Sequence, residues 1–487
     1  MNSSLEIFSA IFKIGLGTIA KVLFNALAIK VIAIFMGPYG VGLFSQLRQL
    51  WQTSVTIGSL NSGVAIIQGA SSKDDSQKSI YINSVFWLVS LANLMTSFLL
   101  LYFSTELSVY LFNNSLDESI EVIRWVSLAS YTGVYLIFFS SILSVYYAIG
   151  RYAIVASTSG FILFLCAWPA AKVSEDSGIE LVWIIIISEL IALILCLIFL
   201  FKDKLISLSA NKINLHYVTD FIKTSYVFLF TGVFFMASLL IIRSLIIEKY
   251  GFYGAGIFDA SWLICMVYVL VLTKSFGTYF LPKMSSIKDA DERKNLLSEG
   301  LRIIILISVP IIVIMISFKP LIINLLYTNE FIESMDILKW MLIGDFFKIL
   351  SWLLAFSIIA QKDMRIFFWL QIVSDSLLLF GSYISIKYFG TLEALGIVFM
   401  VYSILYFFPT LLYNLINNEL KITKSLIIFS SLGFLIISIT SINSWNDISI
   451  NYWLAAFHIL LSIIFSFYVL KKNERAWIIN KLNIKIS

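Results

Sequence analysis

The segment GPYGVGLF at Gly37 to Phe44 returns as GFYGAGIF at Gly251 to Phe258, and the correspondence runs without a gap to Ser71-Ser72 and Ser285-Ser286. A fixed internal repeat restricts a chain to architectures assembled from like units. Each copy lies between two long apolar stretches, so the repeated unit is a group of apolar helices. About 20 mostly apolar residues cross the hydrocarbon core of a bilayer, and about fourteen segments of that kind succeed one another from Phe8–Met36 and Val41–Ala70 to Tyr452–Leu470. With 60% hydrophobic and 13% charged residues over 487, polar surface is too scarce for a soluble globule of this size. A membrane β-barrel would need short alternating strands, which these continuous runs are not. The expected fold is an all-α polytopic membrane protein.

The first apolar stretch lacks a basic n-region before it, is too long for a signal h-region and contains lysines, so it reads as a retained helix. Cys166, Cys196 and Cys265 fall inside apolar spans at no metal-ligand spacing, and His216 and His458 are isolated. Nothing here points to a metal, a disulfide or a general base, and no cofactor is expected.

Lys and Arg alternate along the connections. Basic turns hold Lys73 and Lys78, Arg151, Lys202 to Lys223, Lys283 to Arg302, Lys362 and Arg365, and Lys421 and Lys424; intervening turns such as Glu106 to Glu121 and Glu330 to Asp336 are acidic. The positive-inside rule then places both termini in the cytoplasm, which requires an even number of spans. The repeat divides the chain into a six-helix lobe at 1–215, a second at 216–420, and an additional hairpin with a basic tail at 421–487. Both copies begin with a helix of the same orientation, so the lobes are parallel repeats, a design associated with alternating access. No connection is longer than roughly 25 residues, which leaves no room for an extramembrane catalytic domain.

An ionised side chain near the bilayer centre costs about 2.5 to 3.5 kcal/mol and persists where it faces protein or water. The spans contain Lys13, Lys21, Lys30, Arg48, Arg243, Lys274, Lys339 and Lys348 against Glu189, Asp259, Asp345 and Asp375. Cations exceed carboxylates about two to one, favouring an anionic ligand. On the second span Ser45, Arg48, Gln52, Thr56 and Ser59 repeat at helical spacing, a polar strip that would be unsatisfied against lipid. Lys13, Lys21 and Lys30, with Asn25, occupy about half the circumference of the first helix. The alternative for Lys13 and Lys30 is snorkelling to the two interfaces.

Asp259 and Lys274 are spaced to share a helix face, and Asp345 and Lys348, at i and i+3, can form either a structural ion pair or a switchable one. Gln371 and Asp375 are placed to hydrogen-bond, and Glu189 is a lone carboxylate, either packed in its neutral form or used in coupling. The GPYGVGLF segment lacks the GK[ST] end of a phosphate loop and reads as a tight turn between spans, with Pro38 setting the turn and the glycines allowing close helix approach.

GPYGVGLFSQ at Gly37 to Gln46, TYFLPKMS at Thr278 to Ser285 and GDFFKILSWLLAFSIIAQKDMRIF at Gly344 to Phe367 resemble the Wzx-type O-antigen and enterobacterial common antigen translocases of the MOP flippase superfamily, over roughly residues 8 to 418. The resemblance implies two MATE-like lobes, a bacterial inner-membrane location, and transfer of an undecaprenyl-diphosphate-linked oligosaccharide from the cytoplasmic to the periplasmic leaflet. A polysaccharide polymerase and a chain-length regulator are candidate partners. It also places substrate cations on the first, second and eighth helices, here Lys21, Arg48 and Lys274, with Arg243 and Lys30 as further candidates; Gln52, from the polar strip, is a further substrate-binding candidate. Candidates for coupling to a proton or sodium ion, or for gating, are Glu189, Asp259, Asp345, Lys348 and Asp375. A cation-coupled MATE-like drug exporter would call for carboxylates in the cavity, and the first helix has lysines and no carboxylate, which disfavours it. A membrane glycosyltransferase or polymerase would call for a large external loop or clustered catalytic carboxylates.

Overall fold

The computed structural model describes residues 2–71, 73–113, 119–174, 179–206, 213–287, 289–417, 420–445 and 450–471, without the side chains of residues 2–19 and of several later positions, Lys274 among them. The described residues are predominantly helical, with no strand among them. The elements are α1 (Asn2–Gly58), α2 (Ser62–Ser71), α3 (Asp75–Tyr102), α4 (Ser104–Phe112), α5 (Ser119–Val145), α6 (Ile149–Val173), α7 (Ile179–Lys202), α8 (Leu215–Ser286), α9 (Ala290–Ser317), α10 (Lys319–Leu326), α11 (Ser334–Ala360), α12 (Met364–Ile384), α13 (Glu393–Ile416), α14 (Lys424–Asn443) and α15 (Tyr452–Val469). Twelve helices among the described residues are long and apolar enough to cross a membrane. Two of them, over Ala20–Gly58 and Ser225–Thr273, run to 39 and 49 residues. At 1.5 Å per residue both exceed one bilayer thickness. Each is broken once, at Gly37 and at Gly251, so each supplies two membrane segments.

The breaks are the two copies of the repeat. Gly37 has φ 59° and ψ −157°, and Gly251 has φ 68° and ψ −176°, a region that only glycine enters without strain. Pro38 comes directly after the first break, where its fixed φ suits a helix start, whereas Phe252 holds that place after the second with the same geometry. The glycine is therefore sufficient, which corrects the expectation that Pro38 sets the turn. Four residues beyond Pro38 and beyond Phe252 comes a further glycine. A methyl group on Gly42 would collide with the backbone oxygen of Phe252, and one on Gly256 with that of Pro38. The two copies thus pack backbone to backbone in a reciprocal contact, the small-residue packing that membrane helices use in the absence of a hydrophobic drive.

The second span differs from the continuous Val41–Ala70 expected from hydropathy. Leu60 and Asn61 adopt positive φ and end α1, and α2 starts afresh at Ser62. Asn61 then donates from its side-chain amide to the carbonyl of Phe228 at 3.0 Å, so the interruption is anchored to α8.

By contact the chain divides into two compact units, residues 1–259 with 326–328, and residues 260–325 with 329–487. In the first, α6 lies along α1 and also packs on α7, which in turn packs on α5. In the second, α11 packs on α13, and the hairpin α14–α15 packs on α9. Two buried cations hold that hairpin. Lys319 donates to the carbonyl of Ser444, just past α14, and Arg302 donates to that of Val469 at the end of α15, at 3.1 Å. Both satisfy carbonyls that a helix C-terminus leaves open, where positive charge is favoured.

Candidate functional site

The first unit contains a cavity of about 370 Å³. Its wall is built from both halves of α1, from α5, α6 and α7, and from Met236 of α8. Lys21 and Asn25 come from the segment before the break, and Arg48, Gln52 and Thr56 from the segment after it. The polar strip read from the sequence therefore faces this hollow with three of its five members, while Ser45 and Ser59 are buried elsewhere. The position of Lys21 is set by α6: a methyl on Gly160 would lie 2.9 Å from the carbonyl oxygen of Lys21, so only glycine lets the two helices approach this closely.

Among the described residues, Glu189 of α7 is the one carboxylate on the wall; it is 7% exposed and accepts a hydrogen bond from Ser159 of α6 at 2.9 Å. Two cations against one carboxylate give the cavity a net positive wall, with Ser140, Ser188, Tyr152 and Trp51 supplying further polar atoms. Arg48 lies within electrostatic range of Glu189, Arg243, Asp259 and Tyr327, which embeds it in a charge network rather than in lipid. Such a surface can take an anion on its cations and hydroxyl-rich groups on its amide and hydroxyl edges.

Arg243 is 4% exposed, lies outside the cavity wall and is committed elsewhere. Its guanidinium forms a fork on Asp259, with Nε donating to both carboxylate oxygens at 2.9 and 3.1 Å and Nη2 donating to Oδ1. Nη1 donates to Oε1 of Gln49 at 3.0 Å, and Gln49 passes its own amide to the carbonyl of Met236. Asp259, fully buried, is thus paired across the Gly251 break with Arg243. Lys274 itself carries no described side chain, and Lys13 likewise lies outside the described side chains. Lys30 donates to the carbonyl of Tyr327, away from the cavity wall. Lys339 is ion-paired with Asp336 at 2.9 Å and Glu393 at 3.0 Å.

The second unit buries a different cluster. Lys348 is 1% exposed, and among the described residues its ammonium makes no hydrogen bond. It sits over the rings of Phe399, Tyr402, Trp262 and Trp352, at 4.7, 5.0, 5.7 and 5.7 Å from their centroids, a cation–π cage. The ion pair with Asp345 that the i, i+3 spacing allows is not formed. Asp345 instead accepts a hydrogen bond from the Tyr268 hydroxyl, and the charge of Lys348 is shared electrostatically between Asp345 and Asp375. Gln371 donates to both oxygens of Asp375, at 2.9 and 3.0 Å, as its spacing suggested.

The sequence reading missed Gln46 and Gln49. Gln46 donates to the carbonyl of Leu111 and the hydroxyl of Ser244, and with Gln49 it ties α1 to α8. With Thr53 they form a second polar line at helical spacing, visible in the sequence beside the Arg48 strip.

The sequence matches a family described as polysaccharide biosynthesis protein over residues 56–336, more than half of the chain. The chain belongs to the polysaccharide biosynthesis protein family. It is similar to the lipid III flippase of Escherichia coli (strain K12), 24% identical over 179 residues, a stretch covering 37% of this chain and 43% of that protein. The same values hold for the lipid III flippase of Shigella flexneri. Among solved structures, the lipid II flippase MurJ in an inward closed conformation superposes with a TM-score of 0.72 at 15% identity, covering 94% of this chain and 97% of that one. An inward-facing MATE family multidrug resistance transporter of the MOP superfamily gives 0.64 at 13%, covering 83% and 98%. These structures establish the fold of this family member as MOP-like, an all-α multi-pass membrane architecture.

Proposed function

We propose that this family member is a flippase for an undecaprenyl-diphosphate-linked oligosaccharide of the Wzx type, working in a bacterial inner membrane. The carrying observation is the cavity wall, where Lys21 and Arg48 outnumber Glu189 among serine, threonine, asparagine and glutamine side chains. A diphosphate needs cationic partners, and a sugar needs polar edges. The family membership and the partial likeness to the lipid III flippase support the same reading. In it the basic connections face the cytoplasm, both termini are cytoplasmic, and the two lobes carry the lipid outward by alternating access. Lys21 and Arg48 hold the diphosphate, Gln52, Asn25 and Thr56 hold sugar hydroxyls, and Arg243 with Asp259 keeps the Gly251 break rigid. Asp345, Lys348 and Asp375 form the group whose charge is free to change with state, the candidate for proton coupling.

A second reading, export of an organic cation by a MATE-like cycle, has one observation in its favour: Glu189 is a carboxylate on the cavity wall. The two readings separate in reconstituted vesicles. The proposal expects transfer of a labelled lipid-linked oligosaccharide and no accumulation of an organic cation dye. Dye accumulation without transfer of the lipid would overturn it.

A further inference from the structure

In the second unit, the first half of α9, the end of α15 and the start of α14 enclose another hollow, of about 410 Å³. Among the described residues its rim carries Arg302, Lys421 and Lys471 against a single carboxylate, Glu299. Arg302, 8% exposed, is the fixed element: Nε and Nη2 donate to Glu299 at 3.1 and 2.9 Å while Nη1 holds the Val469 carbonyl. Lys471 also pairs with Glu299, so that carboxylate is shared by two cations and leaves an excess of positive charge. Lys421 is exposed, and its backbone is pinned by Ser298, whose hydroxyl donates to its carbonyl at 3.1 Å.

The 20-residue helix α14 opens into the same hollow. Thr423 caps the amide of Leu426 at 3.2 Å, which leaves the amides of Lys424 and Ser425 as first-turn donors, the positive end of a helix dipole. The remaining wall is apolar, formed by Leu426, Phe429 and Tyr468. A cationic rim above an apolar wall matches an amphiphile and not a bare ion, and basic pockets between membrane helices on the cytoplasmic side take anionic headgroups.

We propose that this hollow binds the phosphate headgroup of an anionic phospholipid, with an acyl chain along Leu426, Phe429 and Tyr468. With the basic connections on the cytoplasmic side, it is a lipid of the cytoplasmic leaflet. The site is separate from the Arg48 cavity, and its occupant is resident lipid, not transported substrate. It gives the additional hairpin a role: Arg302 links the rim of the site to the end of α15, so headgroup binding and hairpin docking reinforce each other.

The test uses the full chain purified in detergent and incubated with phosphatidylglycerol or phosphatidylcholine of identical acyl chains, the lipid retained after gel filtration being quantified by mass spectrometry. The wild type is expected to prefer phosphatidylglycerol at least about fivefold. The double variant Lys421→Gln/Lys471→Gln, which changes only exposed side chains, is expected to lose that preference. The control Lys202→Gln/Lys223→Gln, in another basic connection, is expected to keep it. An unchanged preference in the Lys421/Lys471 variant, or none in the wild type, overturns the proposal. If inorganic phosphate alone raises the melting midpoint of the lipid-free wild type but not of the Lys421/Lys471 variant, and no lipid is preferred, the occupant is free phosphate and the lipid assignment fails.

Discussion

In the first copy of the repeat, the helix after the glycine break carries Arg48, Gln52 and Thr56 towards a cavity. In the second copy the aligned positions are Trp262, Met266 and Leu270. Both copies share the broken backbone and the reciprocal glycine contact. They differ in the side chains beyond the break: Trp262 and Met266 are 5% and 9% exposed, and Trp262 closes over Lys348 where Arg48 opens onto a hollow. The repeat therefore specifies backbone geometry, and the residues laid on it decide whether the helix after the break faces a cavity or a packed charge. The proposed substrate site lies beside one copy only.

The pair Arg48 and Trp262 offers the largest effects, in opposite directions. Arg48→Ala should leave membrane levels unchanged and lower transport at least about 30-fold, the scale for removing one partner of a desolvated charge pair. Arg48→Lys should recover only part of it, because the planar fork is lost. Trp262→Ala should do the reverse, costing about 3 to 5 kcal/mol of stability by the cavity it leaves while transport per molecule falls far less than in Arg48→Ala. Surface polysaccharide normalised to membrane protein level separates the two, and equal phenotypes would erase the distinction between the copies.

Next come Gly42→Leu and Gly256→Leu. Each forces a side chain into a backbone contact and should cost at least about 1 to 3 kcal/mol, with the two variants alike in thermal midpoint because the contact is reciprocal. A harmless Gly256→Leu beside a damaging Gly42→Leu would show that the contact is not shared.

Lys348→Met probes the packed cluster. Replacing the ammonium by an isosteric apolar chain leaves the buried carboxyls of Asp345 and Asp375 without their cation and should lower the thermal midpoint. If the cluster couples transport to protons, this variant and Asp345→Asn keep substrate binding and lose the acceleration given by an imposed proton gradient. Gradient-driven transport retained in both would make the cluster purely structural. The smallest effect belongs to Ser159→Ala, which removes one hydrogen bond from Glu189 at a cost of about 1 kcal/mol and should slow transport by no more than about fivefold.

Much of this contrast was legible in the sequence. The apolar runs marked the helices, and the strip at Arg48, Gln52 and Thr56 stood out because helical periodicity is a local property. The glycine repeat was equally visible, though not the reciprocal contact between its copies, which depends on pairing distant segments. The same limit explains the partners. Arg243 and Asp259 lie 16 residues apart on opposite sides of a break, and no uninterrupted helical wheel brings them together. Asp345 and Lys348 satisfy the spacing rule for an ion pair, but aromatic residues from α8 and α13 took the ammonium instead. The break at Leu60–Asn61 was hidden because hydropathy averages over the few residues that interrupt a span.

The central claim is that Arg48 in the first-copy cavity grips a diphosphate. It is tested most directly by equilibrium binding of a short-chain polyprenyl diphosphate, with the corresponding monophosphate as control, to purified wild type and Arg48→Ala. The account predicts that the wild type prefers the diphosphate and that Arg48→Ala weakens its binding at least about 30-fold while the monophosphate changes less. Equal diphosphate affinity in the two proteins would contradict it.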